Sequence, residues 1–268
     1  MRALCFERKR MRKFGFKIFN TNLQNAPDFV RECADYVSQR EDMFIELMVM
    51  TGRPQEEFFQ LKEMLKDVEV RIHAVHSTYG FDAGNKSLEK QNRQMFEYTQ
   101  FAADLFNSKS IVVHSGCGHG KEYLDETIRQ FKLFNDKRIV VENLPYIDDN
   151  GDDLSGSIAD EIKYIMDETG CGFCFDFSHA ICAAISHNIN IDTQLKNFFD
   201  LNPTVYHMCD GDLNMAEDKH LHFGEGNYPL KHFLNDFTAN DTCITMETGG
   251  FSLHNDLSIK DYEYIKSL

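Results

Sequence analysis

The chain has 268 residues, 42% hydrophobic and 26% charged, with a formal net charge of −15. It is long enough for one (β/α)₈ domain of about 250 residues and has the wrong sign for a general polyanion binder, whose affinity comes from Lys and Arg. No run reaches the roughly 18 consecutive apolar residues of a membrane span, and eight cysteines are too sparse for a disulfide scaffold. A soluble cytoplasmic protein with reduced thiols is expected, with no membrane partner, as a monomer or weak homo-oligomer.

The first thirteen residues, MRALCFERKRMRK, lack the apolar core of a signal peptide. They read as a basic, flexible extension that includes a second methionine, Met11, ahead of one domain over residues 14–268. From there β-rich runs alternate with amphipathic ones. Strand FGFKIF (14–19) is followed by helix 26–40, strand MFIELMVM (43–50) by helix 54–66, and strand VEVRIHAVHS (68–77) by helix 87–106. Strand SIVVHSG (110–116) precedes helix 121–134, and strand RIVVENLP (138–145) precedes helix 155–168. Strands GFCFDFSH (172–179), VYHMCD (205–210) and CITMET (243–248) follow, with a C-terminal helix over 258–266. Eight strands with intervening helices predict a single α/β domain, a (β/α)₈ TIM barrel. An open doubly wound sheet would carry a Gly-rich phosphate fingerprint after its first strand, and FNTNLQNAPD has none.

Metal-capable side chains gather at the ends of these runs: His76, His114, Glu142, Asp176, His179, His207 and Glu247, with Asp218 and His220 in the loop after the seventh. In this fold the carboxyl ends of the strands form the active-site face. A lone histidine at a strand end is more often a hydrogen-bonded structural residue than a ligand. Nine such groups on one rim would leave uncompensated charges in a partly dry cup, at several kcal/mol each, and divalent metals resolve that conflict. Imidazoles and carboxylates without thiolate suit Zn²⁺, Mn²⁺ or Fe²⁺. Nine ligands are enough for two or three ions, so Zn²⁺ is expected and Mn²⁺ is the alternative. Cys171 and Cys174 lack the second ligand pair of a zinc knuckle and the following helix of a redox pair. They read as core thiols.

In chain order, HSTY, VVHSG, VENLP, FDFSH, YHMCD, DKHLHFGEGN and METGG resemble the motifs of the xylose-isomerase-like barrels, in particular the endonuclease IV (AP endonuclease family 2) type. That resemblance implies a three-zinc site of the nine residues above, with Glu142 as bridging ligand and Glu247 near the attacking hydroxide, both catalytic. It implies substrate contacts from Tyr79 and from Glu225 of the Gly-Glu-Gly loop, and damaged or abasic DNA as substrate. Two departures stand out. The nuclease family opens with Gly-x-His where this chain has Gly-Phe-Lys, and its Arg- and Trp-containing wedge loop is replaced by TGRPQEEFF in a chain without tryptophan. Glu46 in FIEL is more like the sugar and sugar-phosphate isomerases and epimerases of the same superfamily, where it would touch a small sugar substrate. Phosphodiester hydrolysis, sugar isomerisation and metal storage without turnover are therefore the three readings.

Overall fold

The computed structural model describes residues 11–148, 151–239, 241–249 and 255–268. Residues 1–10 of the expected basic extension lie outside that set. Its last residues belong to the barrel: β1 starts at Lys13, and the Arg12 guanidinium donates to the carbonyls of Leu234 (2.7 Å) and Thr238 (3.2 Å), tying it to the far side of the closure.

Eight parallel strands close in sequence order: β1 (Lys13–Phe19), β2 (Met43–Val49), β3 (Val70–Ala74), β4 (Ile111–His114), β5 (Ile139–Glu142), β6 (Gly172–Asp176), β7 (Val205–Met208) and β8 (Cys243–Met246). The helices are α1 (Asn22–Asn25), α2 (Pro27–Ser38), α3 (Glu56–Met64), α4 (Glu89–Leu105), α5 (Lys121–Phe134), α6 (Ala159–Thr169), α7 (Phe177–Ser186), α8 (Ile191–Phe199), α9 (Leu230–Asp236) and α10 (Asn255–Ser267). Among the described residues no helix is long and apolar enough to cross a membrane.

Every strand after β1 is shorter than its sequence run, and in β6 the cause is a helix start. β6 stops at Asp176, whose Oδ1 accepts the His179 amide at 2.7 Å and caps α7. Thus Phe177, Ser178 and His179 are the first turn of a helix. FSHAICAAIS lacks a polar face because α7 is buried from Phe177 to Ala184, so it has no amphipathic period to read.

The outer layer is aromatic. Phe177 stacks on Phe233 with centroids 4.7 Å apart, and Phe96 on Phe134 at 4.4 Å, filling the space between strands and helices. The barrel interior changes character with height. Val112, Val140, Cys174 and Val205 form a small buried apolar cluster. Strand side chains alternate faces, so the residue two positions on points inward again. Those residues are His114, Glu142, Asp176 and His207. One step along four successive strands therefore turns a hydrophobic floor into a layer of imidazoles and carboxylates.

Candidate metal centre

Register sets the neighbours. His114 pairs with Glu142 across β4 and β5, Asp176 with His207 across β6 and β7, and Lys17 with Glu46 across β1 and β2. At the centre lies Glu142, with no exposure. Its Oε2 is 3.2 Å from both His73 Nε2 and His114 Nε2, and its Oε1 is 2.9 Å from His207 Nδ1 and 3.6 Å from His179 Nδ1. Burial pushes this carboxyl up, but the imidazoles outweigh it and hold it well below the usual range.

A second cluster stands beside it. Asp218 Oδ2 lies 3.1 Å from His179 Nε2 and 3.4 Å from His220 Nε2. Asp218 Oδ1 accepts the Ser178 hydroxyl at 2.7 Å, while Oδ2 is buried without an aligned hydrogen bond. Burial pulls the two imidazoles down, yet the surrounding carboxylates carry His179 up to about 10 and His220 up to about 9. Asp176 is pushed up to about 7, by burial first and then by Asp218, Glu142 and Glu247, against the pull of His179. Glu247 links the clusters: its Oε1 is 2.9 Å from His207 Nδ1 and its Oε2 is 3.5 Å from His220 Nε2. Lys17 donates a short ion pair to the same carboxylate.

The backbone around Asp218 and His220 is held by Asp210. Its Oδ1 accepts the amides of Gly211 (2.9 Å) and Tyr228 (3.1 Å), and its Oδ2 those of Gly224 (2.9 Å) and Gly226 (3.1 Å). A Cβ on Gly226 would sit 2.2 Å from Gly211 O, so the Gly-Glu-Gly stretch is glycine for close approach. His220 takes a φ of +45°, a left-handed conformation uncommon outside glycine.

Above the clusters opens a cavity of about 710 Å³ lined by His76, Tyr79, His114, His179, Asp218, His220, Glu247 and Lys17, with Leu144, Pro145, Ile147 and Leu154 as its apolar wall. Among the described lining residues Lys17 is the one lysine or arginine. This volume is in the range of small-molecule sites.

The structure sorts the residues named from sequence. His114, Glu142, Asp176, His179, His207, Asp218, His220 and Glu247 converge. His76 sits higher, stacked on His114 (centroids 4.9 Å, 17°) and edge-on to Tyr79 (5.0 Å). It is His73 that joins His114 and Glu142 within mutual ligand reach. Sequence reading passes over His73 because an interior strand position is expected to be apolar; its signal is the two-residue step from Arg71 on the inward face.

Two expected substrate contacts are corrected. Glu46 has no exposure and lies under His207 instead of in the cavity. Glu225 is exposed, outside the cavity lining, and accepts the His222 amide of its own turn at 3.3 Å. The cysteines divide as strand alternation requires: positions three apart face opposite sides, so Cys174 is interior, within ligand reach of Glu142 and His207, and Cys171 packs outside against the main core. They form no joint site. Arg53 of TGRPQEEFF pairs with Glu57 at 2.8 Å.

The donors fit divalent cations. Asp218 Oδ2 is a buried acceptor without an aligned hydrogen bond. His73 and His179 commit Nδ1 to the carbonyls of Ala74 (2.6 Å) and Asn143 (2.9 Å), leaving Nε2 towards the carboxylates, the arrangement that orients a metal-ligating imidazole.

A closed parallel barrel with such a rim defines a class of metal-site (β/α)₈ proteins. The sequence matches the xylose isomerase-like TIM barrel family over residues 44–268, and the chain belongs to that family. A probable endonuclease 4 of Mycobacterium ulcerans (strain Agy99) is 25% identical over 219 residues, covering 77% of this chain and 82% of that protein. In fold the chain resembles endonuclease IV from Thermus thermophilus (TM-score 0.70, 19% identity, 95% of this chain and 98% of that one). It resembles a D-tagatose 3-epimerase-like protein equally well (TM-score 0.70, 19% identity, 95% and 96%).

Proposed function

We propose that the protein is a divalent-metal-dependent phosphodiester hydrolase acting at abasic or damaged nucleotides, in the manner its endonuclease IV relatives' name suggests. One observation carries this reading: a second donor cluster, His179, Asp218 and His220, stands beside the one centred on Glu142. A single-ion isomerase has no need of it.

Glu142 would hold metal together with His114 and His73 or His76, and with Asp176, His207 and Glu247, while His179, Asp218 and His220 would hold a further ion. Zinc suits this donor set and manganese is the alternative. Bound there, such ions supply hydroxide at neutral pH and neutralise a phosphodiester. The chain's own residues do the rest. Glu247, kept ionised beside Lys17, faces the cavity to orient a nucleophilic water. Tyr79 and His76 offer a stacking edge, and Leu144, Pro145, Ile147 and Leu154 exclude water.

The cavity admits one extrahelical nucleotide, but Arg53 is tied to Glu57 and the net charge is −15. Flipping a nucleotide costs a few kcal/mol that this surface recovers poorly. Zinc-loaded protein should therefore cut abasic oligonucleotides in single-stranded or gapped form faster than in intact duplex, and Tyr79→Ala should raise KM more than it lowers kcat.

A metal-dependent sugar or sugar-phosphate isomerase or epimerase is the second reading, favoured by Lys17 beside Glu247 at the wall of a cavity of small-molecule size. Oligonucleotides of every kind left uncut, with a ketose or ketose phosphate interconverted, would put it in first place.

A further inference from the structure

We propose that Glu46 is a positioning residue that acts through His207, holding the imidazole so that Nδ1 faces the metal-binding carboxylates. The inference rests on metal binding, as the reading above does, and not on the reaction catalysed. β2 is buried along its whole length, in the order Met-Phe-Ile-Glu-Leu-Met-Val, and a carboxylate in such a strand is costly unless it is paired. Its partner is specific. Glu46 Oε2 is 3.1 Å from His207 Nε2 and accepts the Thr245 hydroxyl at 2.8 Å.

The opposite edge of the same ring looks towards the centre, with His207 Nδ1 2.9 Å from Glu142 Oε1 and 2.9 Å from Glu247 Oε1. A ring that ligates through Nδ1 carries its proton on Nε2, and Glu46 is the acceptor for that proton. The hydroxyl of Thr245 reaches the same oxygen from β8, so three strands fix the direction of one bond. Glu46 itself does not line the cavity. It is therefore out of reach of substrate, and its route to the site is the imidazole.

Outer partners of ligating histidines are typically worth ten- to a hundredfold in metal affinity. Zinc affinity measured by competition with a chromophoric chelator should fall by about that factor in Glu46→Gln, and by a smaller factor in Thr245→Val. In ¹⁵N-histidine spectra the His207 signals should show the Nε2–H form in the wild type and a mixture in Glu46→Gln. In a His207→Ala background, adding Glu46→Gln should change zinc affinity no further. Unchanged affinity and spectra in Glu46→Gln would overturn the inference, as would equal losses with and without His207. Should Glu46→Gln fail to fold, Thr245→Val carries the same test, and an unchanged His207 signal and affinity there count against it. A wild type that binds no zinc or manganese defeats the functional reading instead.

Discussion

Asp210 offers a sharp test of how the Asp218–His220 loop is built. Asn replaces Asp with nearly the same shape, and its amide oxygen can still accept two of the four backbone N–H groups. Its NH₂ must then face the other pair, either Gly224 and Gly226 or Gly211 and Tyr228, donor against donor. Leaving a buried donor unsatisfied costs about 1–3 kcal/mol. Gly224 is exposed, so water relieves part of that loss, and the sum for Asp210→Asn is about 2–4 kcal/mol. For a domain of this size each kcal/mol lowers Tm by about 2–4 °C, so calorimetry should find a drop on the order of 10 °C. Metal analysis of the purified variant should show at least one equivalent lost, since the loop carries two of the three donors of the second cluster. An Asp210→Asn protein with wild-type Tm and metal content would refute this account of the loop, because it would mean the four amides do not depend on the carboxylate.

Glu142→Ala should abolish metal-dependent turnover and reduce bound metal by one equivalent or more, read by elemental analysis, since four imidazoles share that carboxylate. The Cys171→Ala/Cys174→Ala double variant should keep its full metal content; a missing equivalent would make Cys174 a ligand. Asp42 accepts from Tyr262 Oη (2.8 Å) and Lys266 Nζ (2.6 Å) and pins α10. Burial pushes its carboxyl up, but those two donors hold it below the ordinary value. Asp42→Asn should therefore cost about 1–2 kcal/mol at pH 7, and the gap in denaturant unfolding should close as pH falls through the depressed folded-state pKa and the wild-type side chain is protonated too.

Strand positions are legible in the sequence because each carries β-branched or aromatic residues between helical patterns; seven runs contain their strand whole, and β1 begins one residue ahead of its run, at Lys13. Metal-capable side chains at strand ends are legible for the same reason: VVH, VVE and CFD switch from apolar to polar two residues along one inward face. What sequence hides is depth. Glu46 and His73 are polar residues at interior positions, and nothing local distinguishes a side chain that opens into a cavity from one roofed by His207. Glu225 fails differently, since in a Gly-Glu-Gly turn that wraps Asp210 the glycines hold the structural role and the glutamate points to solvent. Helices α1, α7, α8 and α9 escape: α1 and α9 span only four and seven residues and α7 is apolar all round, while α8 is as long as the recognised α3.

Asp176 has two places with one carboxylate, in the layer of metal-capable side chains and as the cap of α7, which carries His179 three residues on. Its backbone is also stapled to β5: Asn143 Nδ2 donates to Asp176 O at 2.9 Å, and the Asp176 amide donates to Asn143 Oδ1 at 2.8 Å. Replacing it with alanine would thus fray the turn that aims His179, and the resulting loss would mix architecture with chemistry. Asparagine keeps the cap while removing the negative charge, so Asp176→Asn is the substitution whose phenotype can be assigned to the lost charge. Charge and helix start are separable at this position only through asparagine: any residue that cannot cap would cost the start of α7 along with the carboxylate.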